Sequence, residues 1–155
     1  MKLHPILHAV ILLCLVASGC SSNIAAAPSD VDARVKNLQP PSGKALVYIL
    51  RPTWLGKPFA GHITANGQVI GSMEGEMYVY AALDPGQYEF KVTGQDNDSH
   101  ITVNLEAGKK YYIYQSVYSG VLKGFTSLDL VDDDKGRAAL GQCALSNDLG
   151  SNVVP

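Results

Sequence analysis

The side chains able to do chemistry in this 155-residue chain are few and scattered. Beyond the first twenty residues there are two histidines, His62 and His100. They show no His-x-His or Glu-x-x-His spacing, and no cysteine pair completes a zinc tetrad. Such lone strand histidines are read as structural or solvated. Asp96-Asn97-Asp98 and Asp132-Asp133-Asp134 gather oxygen ligands of the kind a hard cation takes, yet neither continues with EF-hand spacing. The first reads as a polar hairpin tip and the second as a helix cap, with calcium the lesser alternative at both. No Gly-x-Ser-x-Gly elbow presents a serine nucleophile, and no glycine-rich phosphate loop follows a strand. Cys143 comes after both histidines without an evident base, and nothing pairs two carboxylates for acid–base work. The expectation is a non-enzymatic protein with no cofactor and no metal.

The thiol with the most telling neighbours is Cys20. Met1-Lys2 is followed by an apolar run, then by Ala17-Ser18-Gly19-Cys20. A positive end, a short apolar stretch and small residues before a cut make a secretory signal peptide. Cysteine directly after the small residues resembles a bacterial lipobox, in which the thiol takes a diacylglycerol and the new amine is acylated after cleavage. Ala17 stands where leucine is commonest in such signals. The run Ile6–Ala17 is 12 residues, short of the ~20 that span a bilayer. Lipidation at Cys20 is therefore preferred to a transmembrane anchor and to plain secretion. Ser21, not aspartate, follows the cysteine; by analogy with Gram-negative sorting this favours the outer membrane, with a periplasm-facing domain expected and a surface-facing one the alternative.

Removing residues 1–19 takes only Lys2 among the charges, leaving 11 basic against 14 acidic residues. No basic run is present, so nucleic acid is not expected as a partner. Cys14 leaves with the signal and Cys20 is blocked by lipid. Cys143 is then alone and is expected buried, as a small apolar residue; pairing with another chain is the alternative.

Four regions follow from the texture: a signal over 1–19, a lipidated cysteine and flexible tether over 20–43, a folded domain over 44–149 and a frayed tail over 150–155. The tether is rich in Ser, Ala and Pro, with room for a helical turn or two from Asp30 to Asn37, and has a mean span of roughly 25 Å. Ala45–Arg51 is apolar on both faces and reads as a central strand. His62–Ala65 and Gln68–Met73 flank Asn66-Gly67, a two-residue hairpin turn. Glu76–Leu83 precedes Asp84-Pro85-Gly86, which turns the chain into Gln87–Thr93. Tyr88, Phe90 and Val92 alternate with polar residues, as do Ile101, Val103 and Leu105, so each strand has one wet face. Lys110–Tyr118 and Phe125–Val131 close the series. About eight short strands predict an all-β antiparallel sandwich or small barrel. A C-terminal helix over Lys135–Leu145 follows, opened by the aspartates.

The order of Ala45–Pro52, Asn66-Gly67-Gln68-Val69-Ile70-Gly71 and Pro85-Gly86-Gln87-Tyr88 is similar to an uncharacterised family of small bacterial lipoproteins. The Pro-Gly-x-Tyr piece also resembles PEGA domains and the wider transthyretin-like sandwiches. The resemblance covers about residues 44–131. It implies a lipid-anchored β-sandwich and no particular activity.

Two aromatic features are candidate contacts. Tyr112, Tyr114 and Tyr118 share one face of their strand, with Tyr78 and Tyr80 able to join across the sheet. That face is expected half covered by the C-terminal helix, with rings buried and hydroxyls wet, and an exposed platform for glycan, peptide or protein is the alternative. Trp54, Leu55 and Phe59 lie in a loop over 52–59 and are expected to plug the open end of the sandwich, with an exposed contact knob as the alternative. The function these readings favour is a membrane-tethered envelope lipoprotein, binding an envelope protein partner or supporting an envelope assembly. Small-ligand or glycan binding and inhibition of an envelope hydrolase are the alternatives.

Overall fold

The computed structural model describes residues 24–57, 59–94, 97–119 and 124–150. The signal region, Cys20, Pro58, Asp96 and the last five residues lie outside them. In chain order the elements are helix α1 (Ser29–Lys36), then strands β1 (Ala45–Arg51), β2 (Gly61–Ala65), β3 (Gln68–Met73), β4 (Met77–Leu83), β5 (Gly86–Thr93), β6 (Asp98–Leu105), β7 (Lys110–Ser119) and β8 (Gly124–Val131). Helix α2 (Asp133–Gln142) and the short strand β9 (Ala144–Leu145) complete the fold.

Two sheets face each other: one of five strands, ordered β8-β7-β1-β4-β9, and one of four, ordered β3-β2-β5-β6. The protein is thus an all-β sandwich with a short C-terminal helix. Alternation builds its interior. Val47, Ile49, Val79, Ala81 and Ile113 on the large sheet meet Ile63, Ile70, Phe90, Val92, Val103 and Leu105 on the small one. The wet positions of β5 and β6 stay outside, as a period of two requires. At the hairpin, Asn66 and Gly67 both take positive φ (48° and 79°), the conformation that gives the turn a twist matching its strands.

Not every pairing is antiparallel: β1 runs parallel to β7, and β9 parallel to β4. The chain leaves the large sheet after β1, returns through β4, builds β5 and β6 in the small sheet and comes back as β7. A long detour of this kind permits parallel neighbours, and apolar alternation carries no sign of strand direction.

β1 is buried along its whole length because its second face is covered too. Leu46, Tyr48, Leu50, Tyr78, Tyr80, Ala82 and Tyr112 form an outer layer roofed by both helices. α2 starts at the cap Asp132, whose carboxylate accepts from Lys135 N–H at 2.8 Å. It ends earlier than expected because Cys143 is extended and leads into β9.

The flexible tether is corrected from residue 24 onward. Ile24 N–H donates to Glu74 Oε1 (3.0 Å), Ala27 N–H to Leu145 O (2.8 Å), and the Tyr48 hydroxyl to Val35 O (2.7 Å). Ser29 is the first residue of α1, with Pro28 at the cap position, and Asp30 and Asp32 favour the start of the helix dipole. At the other terminus Gly150, expected in the tail, donates to Ile70 O at 3.0 Å.

Candidate functional site

The 52–59 loop follows β1 at the end of the sandwich where β2 and β4 begin. Arg51, the last residue of β1, is buried and organises it. Its guanidinium donates to Phe59 O (2.7 Å), Gly56 O (2.7 Å) and Leu55 O (3.1 Å). A planar cation with several fixed donors suits this task, since three carbonyls from one loop converge on it. Burial lowers the Arg51 pKa, and the charge of Glu74 opposes that shift. Within the loop Thr53 Oγ1 accepts from Leu55 N–H (3.1 Å) and Trp54 O from Lys57 N–H (2.9 Å), while Gly56 takes a φ of +64°. Lys57 forms an ion pair with Glu76.

The plug expected of Trp54, Leu55 and Phe59 is therefore supplied by Arg51. The loop carbonyls turn inward to the guanidinium, Leu55 is half-buried, and Trp54 and Phe59 are left outside. The polar layer beneath continues with Gln115, which donates from Nε2 to Thr126 Oγ1 (2.9 Å).

The same end receives the N-terminal chain. Ile24 sits on the buried carboxylate of Glu74, and the next residue, Gly75, donates to Lys57 O at 3.3 Å. A Cβ on Gly75 would come within 2.6 Å of Thr53 O and 3.0 Å of Lys57 Cα, so the turn and the loop lie in direct contact. β7 runs to this end as well, and Val117 lies beside Gly56.

The tyrosines are shared between two environments. Tyr48 stacks on Tyr112 at 5.5 Å and 11°, with Tyr78 and Tyr80 at 6.0 Å and 6.3 Å. Burial pushes the Tyr48 and Tyr78 hydroxyls well above the ordinary phenol value. Gly136 of α2 lies on Tyr112 so closely that a Cβ there would be 2.2 Å from the ring. Tyr112, a candidate contact, is thus a core residue at 3% exposure. Tyr114 is half-buried with Lys135 Nζ 5.2 Å from its ring centre, and Tyr118 is exposed. The face is common to them, but it needs both helices to cover it, and the ring at its centre is Tyr48.

The remaining candidates are separate. His62 Nδ1 is 2.8 Å from Ser72 Oγ on β3, and His100 is paired across β6 to Lys91 of β5. Asn97 exchanges two bonds with Thr126 of β8 (2.8 and 3.0 Å), and Asp98 pairs with Lys91 (2.6 Å). Among the described residues no group of three metal-ligating side chains gathers. Cys143 is buried as a free thiol, and burial pushes its pKa up to about 12, far from a reactive thiolate. Arg51, Glu74, Tyr48 and Asp32 are the residues sequence reasoning passed over. The signal for Arg51 was a charge ending an otherwise apolar central strand, directly before proline.

These features define a class: a two-sheet β-sandwich with one sheet face roofed by helices and one end closed by a buried arginine. The chain belongs to the family described as "Protein of unknown function (DUF2846)", whose model matches residues 41–126. The matched stretch takes in β1 to β7 and neither helix. The chain is also similar to an uncharacterized protein of Haemophilus influenzae, at 23% identity over 133 residues, covering 86% of this chain and 79% of that protein. No solved structure matches it.

Proposed function

We propose that this protein is a non-enzymatic lipoprotein of the bacterial envelope, held in the outer membrane by acyl chains on Cys20, facing the periplasm and supporting an envelope assembly through a protein partner. The observation that carries the reading is the placement of Cys20. It follows Ala17-Ser18-Gly19, and only residues 21–23 separate it from Ile24, where the chain is already docked. Such an arrangement suits a domain kept close to its anchor. The PEGA-like and transthyretin-like kinship of the Pro85-Gly86-Gln87-Tyr88 corner belongs to the same proposal.

The non-enzymatic part draws support from the described titratable groups. The strongly displaced ones are buried tyrosines and Cys143, and they are packed beneath helices. A glycan platform on the tyrosine face has little support, because α1 and α2 cover its centre at Tyr48, Tyr78, Tyr80 and Tyr112 and leave only Tyr118 exposed.

The test is the intact mass of membrane-extracted protein beside a Cys20→Ala variant. A mass beginning at Cys20 plus acyl chains, lost in the variant together with membrane fractionation, is the expected result. An unmodified soluble mass sinks the anchor. For the partner, in vivo cross-linking should give a discrete adduct that disappears when Cys20→Ala releases the protein; a ladder unchanged by release argues against a specific assembly.

A further inference from the structure

The apolar surface is unevenly shared between the two ends of the sandwich. Among the described residues six large apolar side chains stand exposed. Four of them crowd the end where the chain enters: Trp54 (70%), Phe59 (52%), Tyr118 (56%) and Phe125 (47%). The first two project from the 52–59 loop, the others form one cross-strand pair beside the β7–β8 connection. The loop rests on β7, with Gly56 beside Val117, the residue next to Tyr118 on the opposite face of the strand, so the two groups share this end of the sandwich from either side of β7. Val69 and Leu130, the other exposed side chains, lie by the Asn66-Gly67 turn and near the far end of β8.

We propose that this end is a membrane-contact surface, and that its occupant is the phospholipid bilayer itself. The inference rests on the lipid-anchor reading and adds to it an orientation. Four peptide steps join Cys20 to Ile24, which can span at most about 14 Å even when fully extended. The headgroup layer takes up roughly 5–8 Å of that reach on each side of the bilayer. Ile24 is pinned to Glu74, and Glu74 is joined through Gly75 to the very loop that carries Trp54. Acyl chains at Cys20 therefore bring the aromatic end, and not the Asn66-Gly67 end, to the lipid surface. Tryptophan and tyrosine suit that layer, with an apolar ring and a polar tip, and are enriched there in membrane proteins. Arg51 explains why the rings are available. By drawing the loop carbonyls inward it keeps the backbone satisfied while the side chains point out.

Trp54 is the chain's single tryptophan, so its fluorescence reads this loop alone. The lipidated full-length mature protein is placed in vesicles of phosphatidylethanolamine and phosphatidylglycerol, with soluble Cys20→Ala protein as reference. The expected result is a blue-shifted Trp54 emission, several-fold weaker quenching by acrylamide, and strong quenching by lipids brominated near the headgroup. Phe59→Ser should weaken the lipid quenching while leaving the thermal midpoint unchanged. If intact mass shows the acyl chains and the protein floats with the vesicles, yet Trp54 stays as open to acrylamide as in Cys20→Ala, the contact surface is refuted while the anchor stands. Trp54 shielded in native outer-membrane vesicles but open in pure lipid would mean that a protein covers this end, which also overturns the proposal. A mass without acyl chains removes the anchor, and the orientation with it.

Discussion

The two faces of the five-stranded sheet are packed by different chemistry. The inner face meets the second sheet mainly through aliphatic side chains and Phe90, and the directional bonds between the layers lie at the edges, as from Leu128 N–H to Ser99 Oγ at 3.1 Å. The outer face meets two helices through stacked tyrosines, a backbone contact at Gly136, and bonds from Tyr48 to Val35 and from Leu145 to Asp32. Inner packing depends on volume, and outer packing on particular points of approach. The lesson is that one sheet can be stabilised on one side by bulk burial and on the other by a few contacts that fix where its helices lie.

The largest effect should come from the inner face. Phe90→Ala empties a fully buried site and is expected to cost about 3–5 kcal/mol in denaturant unfolding. A loss below one kcal/mol would mean that the inner face is looser than its burial implies. Next is Gly136→Ala. Alanine is the better helix former by about 0.8–1 kcal/mol, yet the added methyl would meet the Tyr112 ring at 2.2 Å. Overpacking of this kind costs about 1–3 kcal/mol, so a net lowering of the midpoint is expected. Stabilisation by this variant would dissolve the contrast between the faces.

Asp32 supplies a pH-dependent test. Burial works against its charge. The bonds from Lys36, the Tyr78 hydroxyl and the Leu145 amide outweigh burial and hold its pKa below the ordinary carboxylate value. A carboxylate with a depressed folded pKa adds stability above its unfolded value of about 4, and that stability fades as pH falls through the folded value. The side chain is 18% exposed and bonded to both Lys36 and the Leu145 amide, so Asp32→Ala should cost about 1–2 kcal/mol at neutral pH. The gap between variant and parent should close in acid, as read by unfolding at several pH values. A gap that stays constant would remove the carboxylate from the docking of α1. The smallest effect belongs to Gly141, in the same helix as Gly136 but with nothing within 4 Å of an added Cβ. Gly141→Ala should raise stability by up to about 1 kcal/mol in a thermal melt. Opposite signs at the two glycines sharpen the comparison; equal signs break it.

The inner face was the legible part. Phe90, Val92, Val103 and Leu105 announce themselves by alternation, and Asn66-Gly67 by turn chemistry, because both depend on neighbours in sequence. The tyrosine face was half legible: Tyr112 and Tyr114 share a side by spacing, but the depth of Tyr112 depends on a helix placed by Gly136. The docking of α1 was hidden. Its composition is that of a polar linker, and what holds it is Leu145, 113 residues from Asp32. At the aromatic end, Trp54, Leu55 and Phe59 were expected inside, and Arg51 was not singled out for that place. Three loop carbonyls needing donors reversed that order, since an unpaired buried carbonyl costs more than an exposed ring.

The meeting of the chain's two extremities also sets a schedule. Ala26 bridges to Ser146, and Asp32 waits for Leu145. A ribosome or a translocation channel releasing this chain from its N-terminus delivers α1 first and its resting place last. Contacts that span nearly the whole chain form late, because the closure of long loops must precede them. Until residue 146 has emerged, the stretch from Ile24 through α1 has Glu74, Tyr48 and Tyr78 as partners but lacks its bonds to Leu145 and its bridge to Ser146. The N-terminal stretch is therefore locked onto the domain only when the last strand arrives.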